Sequence, residues 1–174
     1  MKQKVDPFDY AGLICKAFQP GILITAKVGN KVNPMTIGWG TMGVEWGRPI
    51  FVAYVRESRY TRQMLDESGE FTVNIPVGAV DRNILSVCGT KSGRDLDKVA
   101  ALGLTLEPGE CVEAPGIHQL PLTLECKILH RVKQPAETIP QEIQDRYYPK
   151  DEDGQQDFHY AYYAQIVNAY LITE

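Results

Sequence analysis

The 174-residue sequence has few cysteines and histidines, and neither type is spaced to bind a metal. The four cysteines are far apart and form no C-x-x-C pair, which argues against a zinc site and against a redox dithiol. They are Cys15, Cys88, Cys111 and Cys126. The three histidines are equally scattered, so we expect no metal. We expect the cysteines to be reduced and mostly buried.

Long apolar runs and an excess of positive charge are also missing. No segment is apolar enough for a signal peptide or a membrane span, so we expect a cytoplasmic protein. The net charge of -4 argues against general affinity for nucleic acid or for anionic membranes. G-x-S-x-G, H-E-x-x-H and P-loop motifs are absent, so a bound redox cofactor is the economical source of chemistry. The length suits one domain spanning residues 1–174.

What the chain does contain is a series of strand patterns. The β-rich run Ile22–Val28 precedes Gly29-Asn30, a dipeptide suited to the positive φ angles of a tight turn, and a second strand is predicted from Val32 onward. Glycines recur between Thr36 and Trp46, where they often mark close approach by a ligand. Further strands are predicted at Ile50–Val55, Phe71–Ile75, Leu120–Val132 and His159–Ile172.

Helix signals are fewer and shorter. We predict one helix that begins at Ser58 as N-cap and ends at Gly69, a second over Asp81–Val87 ending at Gly89, and a third over Asp95–Leu102. Residues 135–156 are predicted to form an exposed excursion, a lid or dimer arm, with at most one short helix at Gln141–Tyr147. The chain is therefore predicted to be mainly β, a closed antiparallel barrel with helical excursions.

Cations and hydroxyls are interleaved where the strand at 50–55 meets the following helix. Arg56, Ser58, Arg59 and Thr61 offer two guanidinium groups and two hydroxyls at a helix start, which suits a phosphate group. Lys98 and Arg94 provide further positive charge. The alternative is that these cations are solvated surface charges, neutralised by Asp95 and Asp97 near Lys98, and that Ser58 is simply a cap.

Flat apolar side chains lie near the glycine-rich segment. Trp39, Met35 and the backbone from Gly38 to Gly43 could form walls for an aromatic ring system, and Asn33 could hydrogen-bond its polar edge. Trp39 could equally be a core residue and Asn33 a turn residue. Cys88 is predicted to be unreactive, because the end of a helix raises the pKa of a thiol. Together with the cations, these residues indicate a site for a phosphorylated aromatic cofactor.

Four stretches, in this order, resemble the flavin-reductase-like, FMN-binding split-barrel family, most closely its flavoredoxin-type branch. The resemblance covers roughly residues 20 to 132, and the tyrosine-rich final strand matches more weakly. The stretches are Asn33-Pro34-Met35-Thr36-Ile37-Gly38-Trp39, Tyr54-Val55-Arg56-Glu57-Ser58-Arg59-Tyr60-Thr61, Gly69-Glu70-Phe71-Thr72-Val73-Asn74, and Cys88-Gly89 with Ser92-Gly93-Arg94-Asp95-Leu96-Asp97-Lys98.

The resemblance implies a split antiparallel β-barrel that forms a homodimer, with FMN at the subunit interface. In that family pattern the phosphate would be held by Arg56, Ser58 and Thr61, with Lys98 assisting. The ring would be framed by Asn33, Met35, Thr36 and Trp39. The matching Cys88, Gly89 and Ser92 complete the implied cofactor-binding set.

The resemblance also implies an oxidoreductase that passes electrons from NADH or NADPH through FMN to a flavin, a monooxygenase or another acceptor protein. His159, Tyr162 and Tyr163 could line the nicotinamide side, or could be ordinary residues of the final strand. Two alternatives remain open. One is a flavoredoxin-type electron carrier that binds FMN without turning over NAD(P)H, and the other is a barrel that binds no flavin.

Overall fold

The computed structural model describes residues 1–173 and consists mainly of antiparallel strands. No helix within this range is long and apolar enough to cross a membrane. The strands are β1 (Lys2–Lys4), β2 (Ile22–Val28), β3 (Lys31–Ile37), β4 (Gly40–Glu45), β5 (Arg48–Arg56), β6 (Glu70–Ile75), β7 (Leu106–Glu107), β8 (Gly116–Ile117), β9 (Leu122–Lys133) and β10 (His159–Ile172). The helices are α1 (Ala11–Ala17), α2 (Tyr60–Ser68), α3 (Arg82–Thr90), α4 (Lys98–Leu102) and α5 (Gln141–Tyr147), with 3₁₀ turns at Pro7–Tyr10 and Ala136–Thr138.

The main sheet has the strand order β3-β2-β6-β9-β10-β5-β4, with β1 added to β10. β3 and β4 lie at the two ends of this order and do not pair with each other. The barrel is therefore split, as the family resemblance implied, and the prediction of a closed barrel from the strand patterns is wrong. β3 contains Pro34, which cannot donate to a ladder and is therefore tolerated on a strand with one free edge. The free ends of the sheet leave room for a groove beside β3.

The core lies inside the curved sheet and is filled by alternate side chains of β2, β5, β6, β9 and β10. β2 is buried on both faces, because α3 covers its outer side: Leu23 packs with Ile84 and Leu85 in a second apolar cluster. The predicted β2–β3 hairpin is confirmed, with Ile22 paired to Ile37 and Gly29 at φ 55° in the turn. This packing fixes β3 against α3 and so shapes one wall of the groove.

Several predicted boundaries are wrong for identifiable reasons. Ser58 is not the N-cap of α2; Arg59 occupies that position, because the Ser58 side chain bonds elsewhere. Gly89 lies inside α3 and does not end it, since the chain leaves at Lys91 in an extended conformation that needs no glycine. α4 begins at Lys98, after Asp97, whose carboxylate accepts from the Ala100 N–H. Only two of the four free cysteines are buried, Cys88 and Cys126, whereas most were predicted to be.

The outer face of β9 is covered by the loop that runs from β7 to β8. Glu125 on this face is fully buried, and its two carboxylate oxygens accept hydrogen bonds of 2.7 Å from the backbone N–H groups of Glu110 and Cys111. The Asn168 side chain donates to Glu110 at 2.9 Å. Leu122–Cys126 is therefore buried on both faces, where the sequence alternation had suggested one polar face. Glu125 ties the loop to the barrel.

Glu125→Ala is expected to lower the free energy of unfolding by about 2–4 kcal/mol, because it removes a buried carboxylate and leaves the N–H groups of Glu110 and Cys111 without their acceptor. Urea denaturation measures this change. Glu142→Ala, on the exposed surface of α5, is the matched control and should change stability by less than about 0.5 kcal/mol. Equal stability of the two variants would show that the loop does not depend on Glu125.

Candidate functional site

Two adjoining cavities form one groove between β3, the end of β5 and the start of α2. They share Met35 and Arg59. The first, the aromatic cavity, has a volume of about 170 Å³ and is lined by Met35, Thr36, Ile37, Gly38, Trp39, Tyr54, Val55, Arg56, Arg59 and His159. The second, the cationic cavity, has a volume of about 100 Å³ and is lined by Met35, Ser58, Arg59, Tyr60, Thr61, Lys91, Ser92, Gly93, Arg94 and Lys98.

The cationic cavity contains a buried ammonium group. Lys98 is only 3% exposed, and its Nζ donates to the carbonyl oxygens of Pro34 at 2.9 Å and Cys88 at 3.2 Å. No carboxylate within residues 1–173 pairs with Lys98 or with Arg59. Burial lowers the pKa of Lys98, and the nearby Arg59 adds to this effect. A cavity with this uncompensated charge is built to attract an anion.

The wall between the cavity and β3 is held by a pair of buried side chains. Asn33 Nδ2 donates to Thr61 Oγ1 at 2.9 Å, and both residues are 2% exposed, so this bond ties β3 to the first turn of α2. Gly93 lies directly on Asn33. A Cβ atom at Gly93 would overlap Asn33 Oδ1, and it would stand 2.7 Å from Asn33 Cγ and 3.2 Å from the Tyr60 ring. Only glycine lets the 91–97 loop approach this closely.

Arg56 and Ser58 bind the chain segment 135–157, which we call the strap. The Arg56 guanidinium donates to the carbonyl oxygens of Asp157 at 2.8 Å and Tyr147 at 2.9 Å. Ser58 donates twice to the Asp157 carboxylate, from its N–H at 3.0 Å and from its Oγ at 2.6 Å. The carboxylate therefore sits just before α2, where the helix dipole favours negative charge. The strap is mostly exposed, as the sequence predicted, and it contacts the groove through Tyr147 and Asp157.

Trp39 and His159 line the aromatic cavity, and Tyr147 packs against Trp39. Trp39 is 40% exposed, and its ring centroid lies 4.8 Å from that of His159 and 5.2 Å from that of Tyr147, which meets it edge-on. His159 Nδ1 is 2.8 Å from the Tyr148 hydroxyl. Burial, helped by the positive charge of Arg56, lowers the pKa of His159 to about 4. The imidazole is therefore neutral at pH 7.

The remaining predicted residues support the groove from behind. Thr36 Oγ1 donates to the Leu85 carbonyl at 2.7 Å, and Gly89 packs against Thr36, so α3 approaches β3 closely. Burial raises the pKa of the Cys88 thiol to about 11, in the direction expected from the sequence, although Lys98 opposes the shift. Cys88 contributes its carbonyl to Lys98 and no reactive thiolate.

The structure brings the sequence-predicted residues together along one groove. Met35, Thr36, Trp39, Arg56, Ser58, Thr61, Ser92 and Lys98 line the two cavities, and Asn33, Cys88 and Gly89 lie directly beside or behind them. Arg59, which joins the cavities, is one of the cations noted in the sequence but does not belong to the FMN-binding set that the resemblance implies. Gly93 was also missed. Its only signal in the sequence is a glycine between Ser92 and Arg94 in a predicted loop.

Comparison with known proteins agrees with this architecture. Residues 17–171 match the family model described as "Flavin reductase like domain". The structure of flavoredoxin from Methanosarcina acetivorans is 26% identical, with a TM-score of 0.67 over 87% of this chain and 68% of that one. Flavoredoxin of Desulfovibrio vulgaris (Miyazaki F), at 24% identity and a TM-score of 0.66, covers 87% of this chain and 69% of its own. The latter shows the fold alone.

An uncharacterised protein of Archaeoglobus fulgidus is 29% identical over 109 residues, which are 63% of this chain and 60% of that protein. The chain thus spans about 60% of the length of this curated relative. The family model, by contrast, extends from the end of α1 to nearly the end of β10 and includes both cavities. The chain belongs to the flavin reductase like domain family, and its fold is the flavin-reductase-like split barrel of that family.

Proposed function

We propose that the groove binds FMN, with the phosphate in the cationic cavity and the ring system in the aromatic cavity. The observation that supports this most directly is Lys98, a buried ammonium group bonded only to carbonyl oxygens among residues 1–173. A phosphate group beside Lys98 would neutralise its positive charge and accept a charge-assisted hydrogen bond from it. The close approach that Gly93 permits fits the same purpose, since it lets the 91–97 loop bring Arg94 to the cationic cavity.

The phosphate donors in this proposal are Arg59, Arg94, Thr61 and Lys98. The first N–H groups of α2 have no partner within a helix, and its dipole stabilises an anion by ~0.3–1 kcal/mol. Arg56 and Ser58, implied as phosphate ligands by the family resemblance, are taken up by the strap in this structure. Ser58 can join the phosphate only when the Asp157 carboxylate releases it, whereas the Arg56 guanidinium has N–H donors beyond the two that hold the strap.

The ring system would lie against Met35, Thr36 and Trp39, with the neutral His159 at its edge. When bound, FMN supplies hydride and electron transfer, the hard chemistry of the reaction. The protein contributes binding and orientation: Trp39 offers a flat face, and Thr36 is fixed by its bond to α3. We propose NADH or NADPH as reductant and a flavin or protein such as a monooxygenase as acceptor.

The proposal includes a single domain that works as a homodimer with FMN at the interface. β4 is at one end of the sheet and carries the exposed side chains Val44 and Trp46 next to its turn. Subunit association would cover this edge and exclude water from the groove beside it. The oligomeric state in solution, measured with and without FMN, tests this part.

FMN-loaded protein is expected to oxidise NADH or NADPH in the steady state, at a rate well above that of free FMN. The decrease in nicotinamide absorbance, followed with each nucleotide in turn, measures this. An electron carrier of the flavoredoxin type, which the 26% identity to flavoredoxin favours as the alternative, would bind FMN and show negligible turnover with both nucleotides. Purified protein that stays colourless and leaves FMN fluorescence unquenched would rule out both functions.

A further inference from the structure

The imidazole of His159 is held by two residues that flank α5. Tyr148 Oη lies 2.8 Å from His159 Nδ1 and donates to Gln134 Oε1 at 3.2 Å. Gln134 is itself fixed, because its backbone N–H donates to the His159 carbonyl at 2.9 Å. The Tyr148 ring is 4% exposed and stacks on Phe158 with a centroid distance of 4.6 Å. These contacts fix the Tyr148 ring and place its hydroxyl between Gln134 and His159.

The orientation of the Gln134 amide, with its oxygen toward Tyr148, assigns the imidazole proton to one nitrogen. An amide oxygen only accepts, so the phenol proton points to Gln134, and the phenol oxygen is left to accept from His159 Nδ1–H. A neutral imidazole has one N–H, and in this arrangement it is on Nδ1. Nε2 is therefore an unprotonated acceptor. It has no hydrogen-bond partner within residues 1–173 and is not among the fully buried unpaired atoms, so it remains accessible.

We infer that Tyr148 and Gln134 are positioning residues that keep His159 in its Nδ1-protonated form, so that Nε2 accepts an N–H from a ring ligand in the aromatic cavity. A lone pair at this wall favours an amide or imide N–H and repels a carbonyl oxygen. The flavin imide and the nicotinamide carboxamide both carry such a group. The ligand half of the inference depends on the proposed function, whereas the state of the free imidazole does not.

Two-bond ¹H–¹⁵N NMR of the ligand-free, ¹⁵N-labelled full chain at pH 7 tests the positioning. His159, identified by loss of its signals in His159→Asn, should show the Nδ1-protonated pattern. Tyr148→Phe should convert it to the Nε2-protonated pattern. Tyr147→Phe is the matched control: it removes a neighbouring phenol that meets Trp39 only through its ring, and it should leave His159 unchanged. An Nε2-protonated ring in the unaltered protein, or no change in Tyr148→Phe, would overturn the inference.

Binding measurements identify the N–H group. FMN is compared with 3-methyl-FMN, whose imide is blocked, and NAD⁺ with its acetylpyridine analogue, which has a ketone in place of the carboxamide. One of the two pairs should differ by about tenfold or more in Kd, the effect of one hydrogen bond to a buried group, and Tyr148→Phe should reduce that ratio severalfold. If the two members of each pair bind the unaltered protein with equal Kd, the inference that Nε2 accepts an N–H from the ligand is wrong. Failure of every protein to bind FMN would instead refute the proposed function, and the NMR result would still decide the positioning.

Discussion

FMN is expected to bind on the order of 100- to 1000-fold more tightly than riboflavin, because two or more charge-assisted hydrogen bonds to the phosphate contribute about 3–4 kcal/mol in total. Arg59→Ala should reduce this preference by about tenfold or more. Arg59 is the residue to remove because it borders both cavities, is exposed, and has no carboxylate partner within residues 1–173. Its loss should leave the fold intact.

Quenching of flavin fluorescence gives both dissociation constants. Arg82→Ala removes the same charge from the exposed start of α3, outside both cavities, and serves as the control. The preference for FMN should also weaken as salt is added, since part of the attraction is screened. Equal affinities for FMN and riboflavin, or equal losses in Arg59→Ala and Arg82→Ala, would show that the cationic cavity does not hold the phosphate.

Gly93→Ala should abolish most FMN binding and also lower the stability of the free protein. The added methyl group would overlap Asn33 Oδ1 and press on Tyr60, so the 91–97 loop or Asn33 must move. Movement of Asn33 disturbs its hydrogen bond to Thr61, which holds the first turn of α2 beside Lys98, and movement of the loop displaces Arg94 from the cationic cavity. Overpacking of this kind typically costs about 1–3 kcal/mol, and a loop displaced by an ångström places the phosphate donors badly.

Gly43→Ala is the matched control for this substitution. Gly43 lies in β4, and a Cβ atom there would meet nothing within 4 Å. Urea denaturation and FMN titration of both variants separate the loss of stability from the loss of binding. Tight FMN binding by Gly93→Ala would mean that the close contact between the loop and Asn33 is not needed for the site.

Local sequence patterns predicted the elements whose signals are themselves local. The β2–β3 hairpin follows from its turn dipeptide. The short helix at Gln141–Tyr147 lies at the one place where a helix was predicted within the polar, proline-containing segment 135–156. Ser58 shows where such reasoning fails. A serine before a helix is usually a cap, but Asp157, 99 residues later in the chain, takes its hydroxyl. No pattern around Ser58 could reveal that competitor.

The groove was predictable in outline because its residues follow the order of the family motifs. The details depend on contacts between distant parts of the chain: Gly93 matters because of Asn33, and the state of His159 depends on Tyr148 and Gln134. Arg59 looked like one more surface cation, and only the packing of β3 against α2 and α3 places it between two cavities. These are properties of the assembled barrel, not of any segment.

The environment of Lys98 links folding to ligand capture. Burial replaces most of the water around this cation by two carbonyl oxygens as the barrel assembles, so the anion proposed to bind here would have little water left to displace from the ammonium group. Burial of this charge also makes the ligand-free protein less stable to unfolding than it would be with an apolar residue at position 98. The proposed affinity for the anion and the lower stability of the ligand-free protein thus have one origin. A substitution at Lys98 that changes one of them is expected to change the other.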